Sequence, residues 1–200
     1  CIRDRMVPSP FYRANELRDY YNELTLRFKK DWNVEFRAYN DGIAYRFVSR
    51  SKKPFNVVDE TVDYRFPSDM VASVPYVKAG KDGDYESQYF NSFENTYTTD
   101  RLSKLNKKRL MFLPLVVDAG EGVKICITES GLENYPGLYL SAAEGENRLT
   151  GKFAPYPKKT VQGGHNQLQM LVKEREAYIA KVDKPRSFPW RMSIVTTSDK

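Results

Sequence analysis

One glutamate stands where a strand is expected to end and a loop to begin. Glu129 follows the apolar run Val123 to Ile127 and precedes Ser130-Gly131-Leu132. The end of a rigid strand is a favourable place from which to direct a carboxylate at a shared site. Hard cations such as calcium take several oxygen ligands, and those ligands can come from distant segments. Spacing alone nevertheless favours the simpler interpretation, a solvated glutamate in a turn.

No other pattern in the sequence forms a complete catalytic set. Nucleophile elbows, phosphate-binding loops, dinucleotide fingerprints and paired Cys/His spacings are missing. Cys126 alternates with apolar residues in VKICIT and is most simply a small strand residue, while Cys1 has no predictable partner. A thiol nucleophile needs a neighbour that lowers its pKa, and the single histidine, His165, lies in the Gly-rich segment QGGHNQ. A carboxylate pair for glycoside hydrolysis stays possible among 26 acidic residues, although most of them are expected to face solvent.

Composition limits the class of protein. The formal net charge is +6, but basic and acidic residues are mixed, and the densest basic cluster, Lys104 to Arg109, is predicted to be a solvated loop. No nucleic-acid-binding motif is present, so no nucleic-acid partner is predicted. No apolar run reaches the roughly 18 residues of a membrane span. The first residues, CIRDRM, carry no secretory signal, which suggests a processed or excised segment.

Period-two alternation dominates the chain and predicts a β-sandwich. The clearest element is a β-hairpin at 34–48, VEFRAYNDGIAYRFV, closed by an Asp-Gly turn. Residues 166–181 fit either a short helix or a strand. Other predicted strands are 23–28 (ELTLRF), 61–66 (TVDYRF), 110–117 (LMFLPLVV), 123–128, 138–142, 149–154 and 190–196.

The middle of the chain, Pro67 to Asn106, lacks clear periodicity. Long stretches of this kind are usually functional loops or mobile excursions rather than core. Its tyrosines form a sugar-stacking surface in one interpretation. In the other, which the dominance of aromatics in burial favours, they pack the loop onto the sheet. They are Tyr76, Tyr85, Tyr89 and Tyr97.

Four segments, in this order, resemble the N-terminal domain of glycoside hydrolase family 97. They are ELRDYYNELTLRF (16–28), EFRAYNDGIAYRF (35–47), ICITESGLENYPGLYL (125–140) and YIAKVDKPRSFPWR (178–191). The segments are spread over nearly all of the chain, and the last two are quite specific. The resemblance implies an all-β fold of the β-supersandwich, galactose mutarotase-like type, with long loops and at most short helices.

The resemblance also implies a role in a larger enzyme. Residues 1–200 would be a single N-terminal domain, followed by a catalytic (β/α)₈ barrel and a small C-terminal β domain. Enzymes of this family hydrolyse α-glucosides or α-galactosides and need calcium at the active site. The catalytic carboxylates and most calcium-binding glutamates belong to the barrel, whereas one glutamate comes from the N-terminal domain, at the ITE position, here Glu129.

The partners implied are the enzyme's own barrel domain and an α-linked oligosaccharide, and the implied location is periplasmic or secreted. The sequence departs from the family at Ser130-Gly131, a mild change that keeps the small-residue pair small. It also begins after the family's usual first strands and ends at Lys200, where the barrel would begin. We therefore expect the catalytic residues to lie outside these 200 residues.

Three functions are carried forward from the sequence. The first is the N-terminal sandwich of such a glycoside hydrolase, with Glu129 as a calcium ligand. The second is a carbohydrate-binding module that uses the tyrosine-rich middle region. The third, with the least support, is an interaction domain that uses its basic surface. Four ordered motifs favour the first over a count of tyrosines.

Overall fold

A computed structural model describes residues 1–9, 14–90, 94–145 and 147–197. Strands account for 53% of the residues and the helical segments are short, which confirms the all-β fold class. None of the helices in these ranges is long and apolar enough to cross a membrane. The helical segments are α1 (Tyr85–Gln88) and two 3₁₀ turns, Leu102–Lys104 and His165–Gln167. The strands are β1 (Ile2–Pro8), β2 (Glu16–Arg27), β3 (Trp32–Tyr39), β4 (Gly42–Ser49), β5 (Phe55–Val57), β6 (Asp63–Arg65), β7 (Val71–Val74), β8 (Thr98–Arg101), β9 (Leu115–Gly120), β10 (Val123–Ser130), β11 (Tyr139–Ala142), β12 (Arg148–Lys152), β13 (Pro157–Gly163), β14 (Gln169–Arg175), β15 (Ala180–Val182), β16 (Arg186–Ser187) and β17 (Trp190–Thr196).

The largest sheet runs in the order β1-β2-β3-β4-β17-β10-β9-β7-β8, and β16 pairs with β4 beside this path. All of these pairings are antiparallel. The predicted hairpin is confirmed as β3–β4. Its turn consists of Asn40 and Asp41, because Gly42 already pairs with Tyr39 as the first residue of β4.

Three smaller sheets complete the fold: β11-β12-β6, β13-β14 and β15-β5. The hydrophobic core joins the largest sheet to β11-β12-β6. Leu115 and Ile127 contribute to it from the largest sheet, Leu140 and Leu149 contribute from the smaller one, and all four side chains are fully buried. An apolar core between two antiparallel sheets is the arrangement of a β-sandwich.

The register of the largest sheet places Glu129 on the core-facing side. Residues two positions apart in a strand point to the same face, and Glu129 lies two positions after the buried Ile127. Glu129 pairs with Arg191 of β17, and Arg191 pairs with Tyr45 of β4. A charged pair therefore stands on the face that is otherwise used for apolar packing.

Four predicted segments need correction or completion. The segment 110–117 is a strand only in its last three residues: β9 begins at Leu115, and the preceding Pro114 has no N–H to donate to a ladder. The segment 166–181 is mainly strand: after the end of a 3₁₀ turn it contains β14 and the first two residues of β15. The segments 61–66 and 149–154 form strands with different ends, β6 and β12.

The middle region also differs from its prediction. Rather than forming only loops, it supplies β7 and β8 to the largest sheet, and Ala72 and Val74 are fully buried. At the end of the basic cluster 104–109, the guanidinium of Arg109 donates to the main-chain oxygens of residues 77–80 and to Asp82. The expectation of a solvated loop is therefore wrong for Arg109, which ties two segments together.

A substitution at Gly42 tests the close approach of β4 and β17. A Cβ atom there would lie 2.5 Å from the Ser193 carbonyl oxygen, which is main chain and cannot move away easily. We expect Gly42→Ala to lower the free energy of unfolding by about 1–3 kcal/mol, the usual cost of overpacking. The measurement is urea denaturation, with Gly137→Ala as the control. The nearest atom to a Cβ at Gly137 would be Oε1 of Glu129, at an ordinary contact distance of 3.5 Å. Equal midpoints for the two variants would contradict the close packing of β4 against β17.

Candidate functional site

Glu129 is the last residue but one of β10, and its side chain is only 10% exposed. It is therefore not the solvated turn residue that spacing alone favoured. Its Oε1 accepts a hydrogen bond of 2.9 Å from the Leu138 main-chain N–H, and its Oε2 accepts one from Nη1 of Arg191. A strand and the segment that leads into β11 thus hold the carboxylate from two sides.

Arg191 is the centre of a buried charge cluster. Its side chain is 1% exposed, and besides Glu129 it binds Glu60, which lies between β5 and β6 and is 7% exposed. Nε of Arg191 donates to Glu60 Oε1 at 2.8 Å, and Nη2 donates to Glu60 Oε2 at 2.7 Å. This is the bidentate arrangement that makes Arg–carboxylate pairs strong and directional. One guanidinium therefore connects two carboxylates that are distant in sequence.

Aromatic side chains enclose the cluster. The Tyr135 hydroxyl donates to Glu60 Oε2 at 2.9 Å, and the Tyr135 ring meets Phe188 edge-on with the centroids 5.5 Å apart. The Phe153 ring lies under the guanidinium of Arg191, 5.2 Å from Cζ to the ring centroid. The three charged side chains are largely buried, so their charges interact in a medium less polar than bulk water.

The cluster carries one more negative than positive charge when Glu60 and Glu129 are ionised. Burial raises the pKa of Glu129 above its ordinary value, although the Leu138 N–H and Arg191 act in the opposite direction. Burial opposes the charge of Arg191 as well, but its bonds to Glu60 and the charges of Glu60 and Glu129 raise its pKa above the ordinary value. An additional cation near Glu129 would offset the cost of the unbalanced carboxylate.

The described residues do not form a complete metal shell by themselves. Among the described residues, no group of three or more His, Cys, Asp or Glu side chains could hold a metal ion. An ionised carboxylate oxygen can accept two bonds, and Glu129 Oε1 accepts one, from Leu138. Glu129 therefore has what one calcium ligand needs: a negative charge and a carboxylate oxygen with a remaining acceptor position.

The tyrosines of the middle region are engaged within the fold. Tyr89 donates to the Phe153 carbonyl at 3.0 Å, and Tyr97 donates to the Pro114 carbonyl at 2.7 Å. The Tyr76 hydroxyl accepts from the Asn106 N–H, and the Tyr85 hydroxyl lies 3.0 Å from that of Ser141. These contacts support the packing interpretation over a sugar platform for the first and the last two of these tyrosines, whereas Tyr97 is 49% exposed despite its hydrogen bond.

The cysteines and the histidine do not come together into a reactive site. Cys1 is exposed and Cys126 is half-buried, and both are free thiols. Burial raises the pKa of Cys126, which disfavours the thiolate needed for nucleophilic attack. His165 is exposed in the 3₁₀ turn between β13 and β14.

Comparison with known proteins decides the family. The family described as Glycosyl-hydrolase 97 N-terminal matches residues 3–200. The chain belongs to this family. It is 81% identical over 197 residues to a retaining alpha-galactosidase of Bacteroides thetaiotaomicron, a match that covers 98% of the chain and 30% of that protein. The chain thus spans about a third of the length of this curated relative.

Solved structures show the same fold as this glycoside hydrolase family 97 domain. A family 97 enzyme from Pseudoalteromonas sp. strain K8, in complex with acarbose, matches with a TM-score of 0.71 at 15% identity and covers 99% of this chain and 27% of its own. A beta-arabinopyranosidase matches with a TM-score of 0.73 at 19% identity, covering 98% and 31%. At these identities the likeness concerns the fold alone.

In this family 97 chain, the sequence pattern indicates Glu129 but none of the side chains that form the cluster with it. Arg191 is the last residue of the segment 178–191, and the residues around it give no sign that it contacts Glu129. Glu60 lies 131 residues before Arg191 and no pattern around it marks a site. Tyr135 precedes Pro136 and Gly137, a sequence that predicts a turn but no contact with a carboxylate. The alternation of β10 and β17 could have placed Glu129 and Arg191 on one face, but only the register makes them neighbours.

Removal of the central guanidinium tests this cluster. Arg191→Met leaves two buried carboxylates without their counter-charge, so we expect the free energy of unfolding to fall by about 3–5 kcal/mol. The control is Arg5→Met, whose pair with Asp19 is exposed and expected to contribute about 0–1 kcal/mol. Both values come from chemical denaturation of the same chain. Similar small losses in the two variants would mean that the buried cluster is not important for stability.

Proposed function

We propose that residues 1–200 are the non-catalytic N-terminal β-sandwich of a calcium-dependent α-glycoside hydrolase, in which they pack on a catalytic barrel and supply Glu129 to a calcium site. The buried carboxylate of Glu129, held at a strand end in a cluster with excess negative charge, is the observation on which the metal role depends. Membership of the Glycosyl-hydrolase 97 N-terminal family supports the proposal that the chain is part of a glycoside hydrolase. The catalytic carboxylates and the other calcium ligands would belong to the barrel.

One curated relative supports a substrate class for the proposed enzyme. The 81% identical Bacteroides protein is a retaining alpha-galactosidase, and this chain matches 30% of its length. Identity at that level favours an α-galactoside over an α-glucoside as the substrate of the whole enzyme. The remaining part of such a polypeptide would contain the residues that select the sugar and carry out the reaction.

The residues of this chain would act by holding one carboxylate in place. When bound, calcium would supply positive charge that orients and polarises the glycosidic oxygen, on which negative charge develops as its bond to the sugar breaks. Leu138 and Arg191 fix the direction of the Glu129 carboxylate, and the Glu60–Arg191 pair with Tyr135 keeps this support rigid. Rigid support of this kind matters because a ligand that is poorly oriented binds its metal less tightly.

Substitution of Glu129 in the full-length polypeptide tests the proposal. Glu129→Gln keeps the size and removes the charge, so we expect higher calcium concentrations for half-maximal hydrolysis of an aryl α-galactoside and a turnover lowered by about 10–100-fold. The assay follows release of the aryl group after chelator treatment and stepwise addition of calcium. Glu121→Gln, an exposed glutamate between β9 and β10, is the control. Calcium dependence and turnover equal to those of the control would remove Glu129 from the metal site.

A further inference from the structure

We infer that Glu60, without being a metal ligand, is the positioning residue that keeps the charge of Glu129 free for a cation by taking up the charge of Arg191. This inference rests on the proposed function of Glu129. It concerns a residue that comes from a different part of the chain and shares no strand with Glu129. Its role follows from how the guanidinium distributes its hydrogen bonds.

The guanidinium of Arg191 makes more hydrogen bonds to Glu60 than to Glu129. Two of its nitrogen atoms, Nε and Nη2, bind the two oxygens of Glu60 at 2.8 and 2.7 Å. Only Nη1 binds Glu129, through Oε2. Since a bidentate pair is stronger and better oriented than a single bond, Glu60 is the principal counter-ion of Arg191.

This distribution determines the charge that a cation would meet. Arg191 and Glu129 alone would form a neutral pair, and a neutral pair has little attraction for a divalent cation. With Glu60 ionised, the three groups together carry a net charge of −1. The buried position of all three strengthens this effect, because charges in a less polar medium are less screened than in water.

The hydrogen bonds also separate the roles of the two carboxylates. Glu60 Oε1 binds Arg191, and Glu60 Oε2 binds both Arg191 and the hydroxyl of Tyr135. Among the residues that the structure describes, Glu129 Oε1 accepts a hydrogen bond only from the Leu138 N–H. Glu60 is thus directed inward at Arg191, whereas Glu129 keeps an acceptor position for a ligand.

Tyr135 holds Glu60 in this orientation. Its hydroxyl donates to Oε2 of Glu60, and its ring packs between Phe188 and Phe153, at centroid distances of 5.5 and 6.2 Å. Tyr64 provides a comparison in the same region. Its hydroxyl is buried and has no hydrogen-bond partner among the described residues. Loss of the Tyr135 hydroxyl should therefore loosen Glu60, and loss of the Tyr64 hydroxyl should not.

The test measures calcium binding, not activity, by isothermal titration calorimetry on the full-length polypeptide after chelator treatment. Glu60→Gln removes the charge and keeps the size, and we expect its Kd for calcium to rise about 10–100-fold. Glu60→Asp keeps the charge and shortens the side chain, so we expect a Kd nearer to that of the unmodified protein. If Glu60 acted only through packing, Asp would impair binding at least as much as Gln, and that result would overturn the inference.

Two further variants keep the test decisive. Glu129→Gln in the same titration reports on the proposed function: unchanged calcium binding there would reject the ligand, whereas unchanged binding in Glu60→Gln alone would reject only the role of Glu60. If Glu60→Gln does not fold, Tyr135→Phe replaces it, with Tyr64→Phe as the matched control. We expect a Kd higher by about threefold or more for Tyr135→Phe than for Tyr64→Phe, a modest effect for a residue one step from the ligand's support. Equal values would overturn the inference.

Discussion

The guanidinium of Arg191 is shared between two buried carboxylates, and the geometry of the candidate site depends on this sharing. A charged side chain that is 1% exposed is tolerated only when its charge and its N–H groups are met within the protein. Two carboxylates accept these hydrogen bonds and balance the charge: Glu129, 62 residues earlier in the chain, and Glu60, 131 residues earlier. The same contacts join β17, β10 and the segment between β5 and β6. Stability of the sandwich and placement of Glu129 are therefore two results of one interaction.

The cluster lies at the border between apolar core and polar site. Along β10, Ile127 packs into the core, and two residues later Glu129 occupies the same face. The change from apolar to charged side chains happens where Tyr135, Phe153 and Phe188 surround the guanidinium. A carboxylate in this position is rigid because the core supports the strand that carries it. In the proposed enzyme, this rigidity is what the N-terminal domain would contribute to a metal shell completed elsewhere.

Local sequence patterns predict local pairings well and distant ones poorly. The β3–β4 hairpin could be predicted because alternation and the Asn-Asp-Gly turn lie within fifteen residues of each other. The start of β9 was misplaced because an apolar run does not show where Pro114 interrupts the pairing. β7 was missed because its four residues, Val71–Val74, are too few for a clear period. The register of β10 against β17 depends on the whole sheet.

The candidate site shows the same limit. Glu129 was found from its place at a strand end and from the resemblance, but burial and pairing with Arg191 could not be read from its neighbours. Glu60 lies in the exposed-looking segment Asp59-Glu60-Thr61, whose composition favours solvent. It is buried only because Arg191 and Tyr135 come to it from later parts of the chain. A long-range ion pair leaves no local signal in the sequence.

Direct binding of calcium by Glu129 is the feature on which the proposed role of this domain depends. The most direct measurement is a crystal structure of the full-length polypeptide grown with calcium, in which the ion is located by its anomalous scattering. We expect a calcium ion about 2.3–2.6 Å from a carboxylate oxygen of Glu129, with Glu60 still bound to Arg191 and outside the metal shell. A calcium shell that is complete without Glu129, with its carboxylate bound only to Arg191 and Leu138, would contradict it.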